Sequence, residues 1–261
     1  MSSEFQLPLA PAIVKFGIPL IALLLSALFV AAVRKAALLA GRTTSQANRA
    51  TGLALAGVTA WLSITALLAS RGVLLRFDVK PPPMALLMAT IIGGGVTLGL
   101  SRVGALLQHH PLWLLVLVQS FRLPLEIVMH EAATRGVMPV QMSFAGYNYD
   151  IVTGGVALVL GVTLALRGVP RAFVWAWNIY GCAALVVIAI VAVAASPLLR
   201  AFGDDALNVW VLFFPYVWLP AIMVTFAIAG HVVVFRKLRQ EAAQQEASAA
   251  LPAIEHGEGQ H

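Results

Sequence analysis

Seven apolar stretches, each close to the length of a bilayer crossing, constrain this chain more than any other feature. They run roughly from Pro11 to Val33, Ala50 to Ala69, Met84 to Leu100, Pro111 to Met129, Ile151 to Leu166, Ala172 to Ala195 and Val209 to Phe235. A helix rises about 1.5 Å per residue, so about 20 residues cover the roughly 30 Å of hydrocarbon in a membrane. Inside lipid the backbone must satisfy its own hydrogen bonds, which makes such runs helical. Charge decides between lipid and water. Only 11% of the 261 residues are charged and 60% are hydrophobic, whereas a soluble domain carries about 25% charged residues.

The expected fold is therefore all-α: a polytopic transmembrane bundle of seven helices. Residues 1–239 would form one transmembrane domain. Residues 240–261 would form a polar cytoplasmic tail that extends the last helix briefly and is otherwise disordered. No basic segment precedes the first stretch, and Arg34 and Lys35 follow it. That order fits an uncleaved helix better than a signal peptide.

The formal charge of +6 is explained by orientation rather than by nucleic acid, which is not an expected partner. Arg34, Lys35, Arg42, Arg49, Arg102, Arg167, Arg171, Arg236, Lys237 and Arg239 fall on one side. Lys15, Arg71, Arg76, Lys80, Arg135 and Arg200 fall on the other. The richer side is expected in the cytoplasm, which puts the N-terminus outside and the C-terminus inside. Trp113, Trp175, Trp177, Trp210 and Trp218 lie near stretch ends and read as interfacial anchors. Gly95 and Gly99 form a Gly-x-x-x-Gly pair suited to close helix packing. The single cysteine, Cys182, excludes an internal disulfide and a cysteine metal cluster, and reads as a small packing residue.

The fourth stretch is the exception. Gln119, Arg122, Glu126 and His130 are spaced by three, four and four residues, which places them on one helix face. Arg122 would lie about 16 Å from the cytoplasmic end, near the midplane. A charge there costs at least about 2.5–3.5 kcal/mol, so the stripe should face the bundle interior, with Arg122 and Glu126 paired across one turn. Pro124 cannot donate to the carbonyl of Ser120, so a kink is expected. The following loop carries Gln141, Ser143, Asn148 and Asp150. Asn148 or Asp150 would cap the fifth helix or close over the stripe.

The string Gln119-Ser-Phe-Arg-Leu-Pro-Leu-Glu126, followed by Met138-Pro139, Gln141-Met142, Gly146, Asn148 and Asp150-Ile151, resembles a family of uncharacterised bacterial multi-pass membrane proteins. The likeness continues through Trp177-Asn178, Gly181, Phe214 to Pro220, and Gly230-His231. The resemblance implies a bundle of about seven helices in the bacterial inner (plasma) membrane. It implies no activity. Ser143 stands where that family often has threonine.

The site reading is an outward-facing intramembrane pocket lined by Gln119, Arg122, Glu126, His130, Gln141, Asn148 and Asp150, binding or sensing a small polar or anionic ligand. Three alternatives stay open: a transporter or proton-coupled permease, an intramembrane enzyme on a lipid-linked substrate with Ser143 a candidate only by proximity, and a structural Arg122–Glu126 clamp. The expected partners are the bilayer and an unidentified small molecule, with a membrane-protein partner or a homo-oligomer also open. No cofactor is predicted. The minor candidates are a divalent metal on Glu126, His130 and Asp150, and a haem between His231 and His109 or His110.

Overall fold

The computed structural model describes Leu7 and residues 9–250, and every regular element among them is helical. The long helices are α1 (Ala12–Leu39), α2 (Thr44–Ser70), α3 (Pro83–Leu100), α4 (Leu112–Thr134), α5 (Asp150–Leu166), α6 (Arg171–Ala194) and α7 (Leu219–Ala249). Six of them are long and apolar enough to cross a membrane, and α5 is a shorter apolar helix of 17 residues. Large apolar side chains stand exposed around the bundle, among them Phe16, Leu53, Val159 and Ile190. Water would not tolerate such a belt, and lipid does.

Local chemistry moves several boundaries away from the hydropathy pattern. α2 starts before Ala50 because Thr43 and Gln46 form a reciprocal capping box at its polar end. α7 starts about ten residues after Val209. Trp210–Leu212 make only a 3-10 turn, and Pro215 and Pro220 each lack the N–H that a helix needs. The first turns of α7, Leu219–Val224, are π-helical around Pro220. Gln240–Ala250, assigned above to the tail, continues the helix. Residues 251–261 lie outside the described residues.

Two contacts fix the ends of the bundle. At one end Arg236 of α7 donates to the carbonyls of Gly99 and Ser101 at 2.7 and 3.1 Å, satisfying the last turn of α3. Toward the other end two tryptophans reciprocate: Trp61 of α2 donates to the Ala221 carbonyl at 2.9 Å, and Trp218 donates to that of Leu62 at 3.2 Å. Between them α3 lies close along α7. A Cβ on Gly95 would meet Ile228, and one on Gly99 would meet Val232. Gly93 and Gly94 face open space, so the pair four residues apart carries the packing.

Not every tryptophan is an anchor. Trp177 and Trp210 are buried, at 4% and 1% exposure, and Trp177 donates to the Thr153 carbonyl at 3.0 Å. These indoles fill the bundle interior, because their position along the helix matched an interface but their face did not.

Candidate functional site

α4 is built in three parts: Leu112–Leu117 is α-helical, Val118–Phe121 is a 3-10 turn, and Arg122–Thr134 is α-helical again. The tightened turn lies just before Pro124, whose ring nitrogen cannot bond to Ser120. Gln119 and Arg122 flank that junction and have no exposed surface. Glu126, one turn on, is 1% exposed.

Arg122 does not pair with Glu126. It donates through Nη1 to Asp150 Oδ1 at 2.7 Å, and through Nη2 to His231 Nε2 at 3.0 Å. Two features direct it. Asp150 opens α5, where the helix dipole favours an anion. Gly154 of α5 lets the backbone approach α4 so closely that a Cβ would stand 3.0 Å from Arg122 Cβ. The guanidinium is thus aimed across to α5 and α7 rather than up its own helix.

The histidine contact fixes a tautomer. Arginine can only donate, so Nε2 of His231 accepts, and Nδ1 carries the proton. Nδ1–H then donates to Asn178 Oδ1 at 2.7 Å, and Asn178 Nδ2 returns a bond to the His231 carbonyl at 3.1 Å. The ring fits because α6 has Gly181 here; a Cβ would overlap the imidazole. Both ring nitrogens are engaged, which leaves none for haem iron. His110 is elsewhere, its Nε2 at 2.9 Å from the Ala32 carbonyl, and His109 Nδ1 faces the carbonyl of Leu106. His231 lies beside mid-bundle Arg122, not at an interface.

Glu126 is held by the loop that follows α4. Asn148 Nδ2 donates to Glu126 Oε1 at 2.6 Å and to the Met142 carbonyl at 3.2 Å. Asn148 Oδ1 accepts from the Asp150 N–H at 3.1 Å, an Asx turn at the start of α5. One side chain therefore begins the helix and covers the stripe.

The other candidates separate. His130 stacks on Phe144, ring centroids 4.3 Å apart, away from the Arg122 network. Gln141 ties the same loop to the segment after α6, donating to the Ala206 carbonyl at 2.7 Å. Ser143 is fully buried; its hydroxyl donates to the Val140 carbonyl at 2.9 Å and accepts from the Ala145 N–H at 3.3 Å. Both contacts belong to the turn, and neither is to a base. Among the described residues no three His, Cys, Asp or Glu side chains converge as a metal site, so Glu126, His130 and Asp150 do not form one.

The ladder expected to open outward is sealed in this conformation. Of Arg122 and its ion-pair partner, only the Asp150 side chain retains exposure, 11%. Several buried polar atoms inside have no partner: both amide atoms of Gln119, Arg122 Nε and Glu126 Oε2. One cation faces two carboxylates. Sequence reasoning missed Asn178 and His231 as members of the site; the strings Trp177-Asn178 and Gly230-His231 were the available signal.

Residues 82–239 match a family described as a domain of unknown function, DUF8737, a span that contains every residue of this network. No curated protein and no solved structure matches the chain. The family match covers more than half of the sequence, and the protein belongs to the DUF8737 family.

Proposed function

We propose that the chain crosses a bacterial inner membrane seven times, with the Asp150 end outside, and binds a small polar or anionic ligand at Arg122. The carrying observation is the set of unfilled valences around a sealed guanidinium: Arg122 Nε, the Gln119 amide and Glu126 Oε2. Buried polar groups are almost always satisfied, and exceptions call for a ligand, a water or a proton. A carboxylate or phosphate group would compete with Asp150 for Arg122. Gln119 would supply one donor and one acceptor. Glu126, which has no cation of its own, would take a proton or the ammonium of a zwitterion.

Entry in this reading is from the Asp150 end. The loop from Gly136 to Tyr149 carries Asn148 over Glu126 and is tied down by Gln141. Its release would open the pocket, and the sealed arrangement is the occluded form.

Purified protein in detergent tests this by thermal unfolding with glycine, acetate or inorganic phosphate added in turn. The expected result is a saturable rise in Tm for at least one of the three. The charge-balanced pair Arg122→Met/Asp150→Leu should abolish it. No saturable shift in the wild-type protein sinks the reading and favours a structural clamp, which the two filled Nη atoms and zero exposure of Arg122 also fit. Flux of the stabilising compound into proteoliposomes would make the protein a permease.

A further inference from the structure

Between α5 and α6 the lipid-facing surface carries an apolar groove of about 390 Å³, lined by Gly155, Val159, Leu160, Thr163, Val169 and Phe173. Val159 and Phe173 are 67% and 62% exposed. At the groove's Arg236 end stand Arg167, the C-cap of α5, and Arg171, the first residue of α6. Arg167 lies four residues past Thr163 and two before Val169, so its backbone adjoins the lining, and the residue is exposed.

We propose that this groove binds an anionic phospholipid, with one acyl chain between α5 and α6 and the phosphate on Arg167. Two observations select that occupant. The lining is apolar, so it suits a hydrocarbon chain. The exposed charge next to the lining is positive and uncompensated: Glu241 is already held by Arg171 at 2.7 Å and by Lys237 at 3.8 Å, and the Arg167 side chain makes no ion pair among the described residues. Basic residues between helices near the membrane surface are suited to anionic headgroups. The site is separate from Arg122 and does not depend on what binds there.

Native mass spectrometry of delipidated protein, given equal amounts of phosphatidylglycerol and phosphatidylcholine with the same chains, tests the proposal. Phosphatidylglycerol adducts should exceed phosphatidylcholine adducts about fivefold, the preference expected from one basic residue. Arg167→Gln should bring that ratio close to one by lowering phosphatidylglycerol adducts, with phosphatidylcholine adducts unchanged. Val159→Trp, a change on an exposed face that fills the groove, should reduce adducts of both lipids. Inorganic phosphate at millimolar concentration should displace neither. Equal retention of the two lipids by the wild-type protein overturns the proposal. So does a Val159→Trp protein with unchanged adducts, or a wild-type dimer that Val159→Trp dissociates, since a second copy would then fill the groove.

Discussion

Arg122 donates to Asp150 at 2.7 Å across 28 residues of chain, while Glu126, one turn away on the same helix, accepts instead from Asn148 at 2.6 Å. Spacing alone suggested the local pair. The helix start at Asp150 and the close approach at Gly154 favour the distant one. The three helices α4, α5 and α7 are thereby joined at one guanidinium, with α6 added through Asn178.

Asp150→Asn should destabilise the protein strongly, because it takes from the buried Arg122 guanidinium the carboxylate it is bonded to. Breaking one side of such a pair costs about 3–5 kcal/mol. Arg122→Met/Asp150→Leu should cost clearly less than the sum of its two single changes. Thermal unfolding in detergent of the four proteins checks this. Additive losses would mean that the two side chains do not act as a pair.

Glu126→Gln should behave differently. The amide keeps an oxygen for Asn148 Nδ2, and Glu126 makes no ion pair to lose, so stability should change by about 1 kcal/mol or less. A fall in Tm as large as that of Asp150→Asn would restore the Arg122–Glu126 clamp that the spacing first suggested.

How far this arrangement can be read from sequence depends on the range of the interaction. Apolar runs are a local property, so the helices and the buried face of α4 were visible in them. The three-four-four spacing correctly marked Gln119, Arg122 and Glu126 as facing inward. Partner choice is not local. His231 reaches Arg122, and Asn178 reaches His231, because Gly181 leaves room for the imidazole, as Gly154 does for the approach of α5 to Arg122, and a glycine in an apolar run looks the same whether it faces open surface, as Gly93 does, or a polar side chain. The start of α7 was misplaced for a different reason: residues 209 to 218 are as apolar as a helix, but Pro215, and Pro220 just beyond, lack donors that hydropathy does not register.

Asn178→Leu should orphan one buried group, His231 Nδ1–H, at about 1–3 kcal/mol, while the His231 carbonyl, inside α7, keeps its helical hydrogen bond. It should also release the imidazole tautomer. In the wild-type protein, nitrogen NMR of labelled histidine should find a resonance for neutral His231 with the proton on Nδ1. A proton on Nε2 in the wild type would contradict the Arg122 contact.

Gln141→Ala removes the tie from the loop after α4 to the Ala206 carbonyl. Hydrogen exchange of residues 136–149 should then quicken, with exchange in the helix cores unchanged. Exchange at the wild-type rate would show that Asn148 and the Phe144–His130 stack hold the loop without it.

Gly230 is the sharpest packing test of the network. It precedes His231, and a Cβ there would overlap the amide nitrogen of Gln119. Gln119 is fully buried on the facing helix and has no room to withdraw into solvent, so Gly230→Ala must push α7 away from α4 or force the amide off its rotamer. Overpacking of this kind costs about 1–3 kcal/mol. It should also lengthen the Arg122–His231 contact, since His231 is the next residue. The obstruction is the end of one side chain rather than backbone, so shortening that side chain should relieve it. Gly230→Ala/Gln119→Ala should regain most of the stability lost by Gly230→Ala, whereas Gly155→Ala, whose Cβ would meet only Leu123 at 3.8 Å, should be nearly neutral. Tm values for the set decide it. If Gln119→Ala gives no rescue, then α4 and α7 are not packed through Gln119 and Gly230.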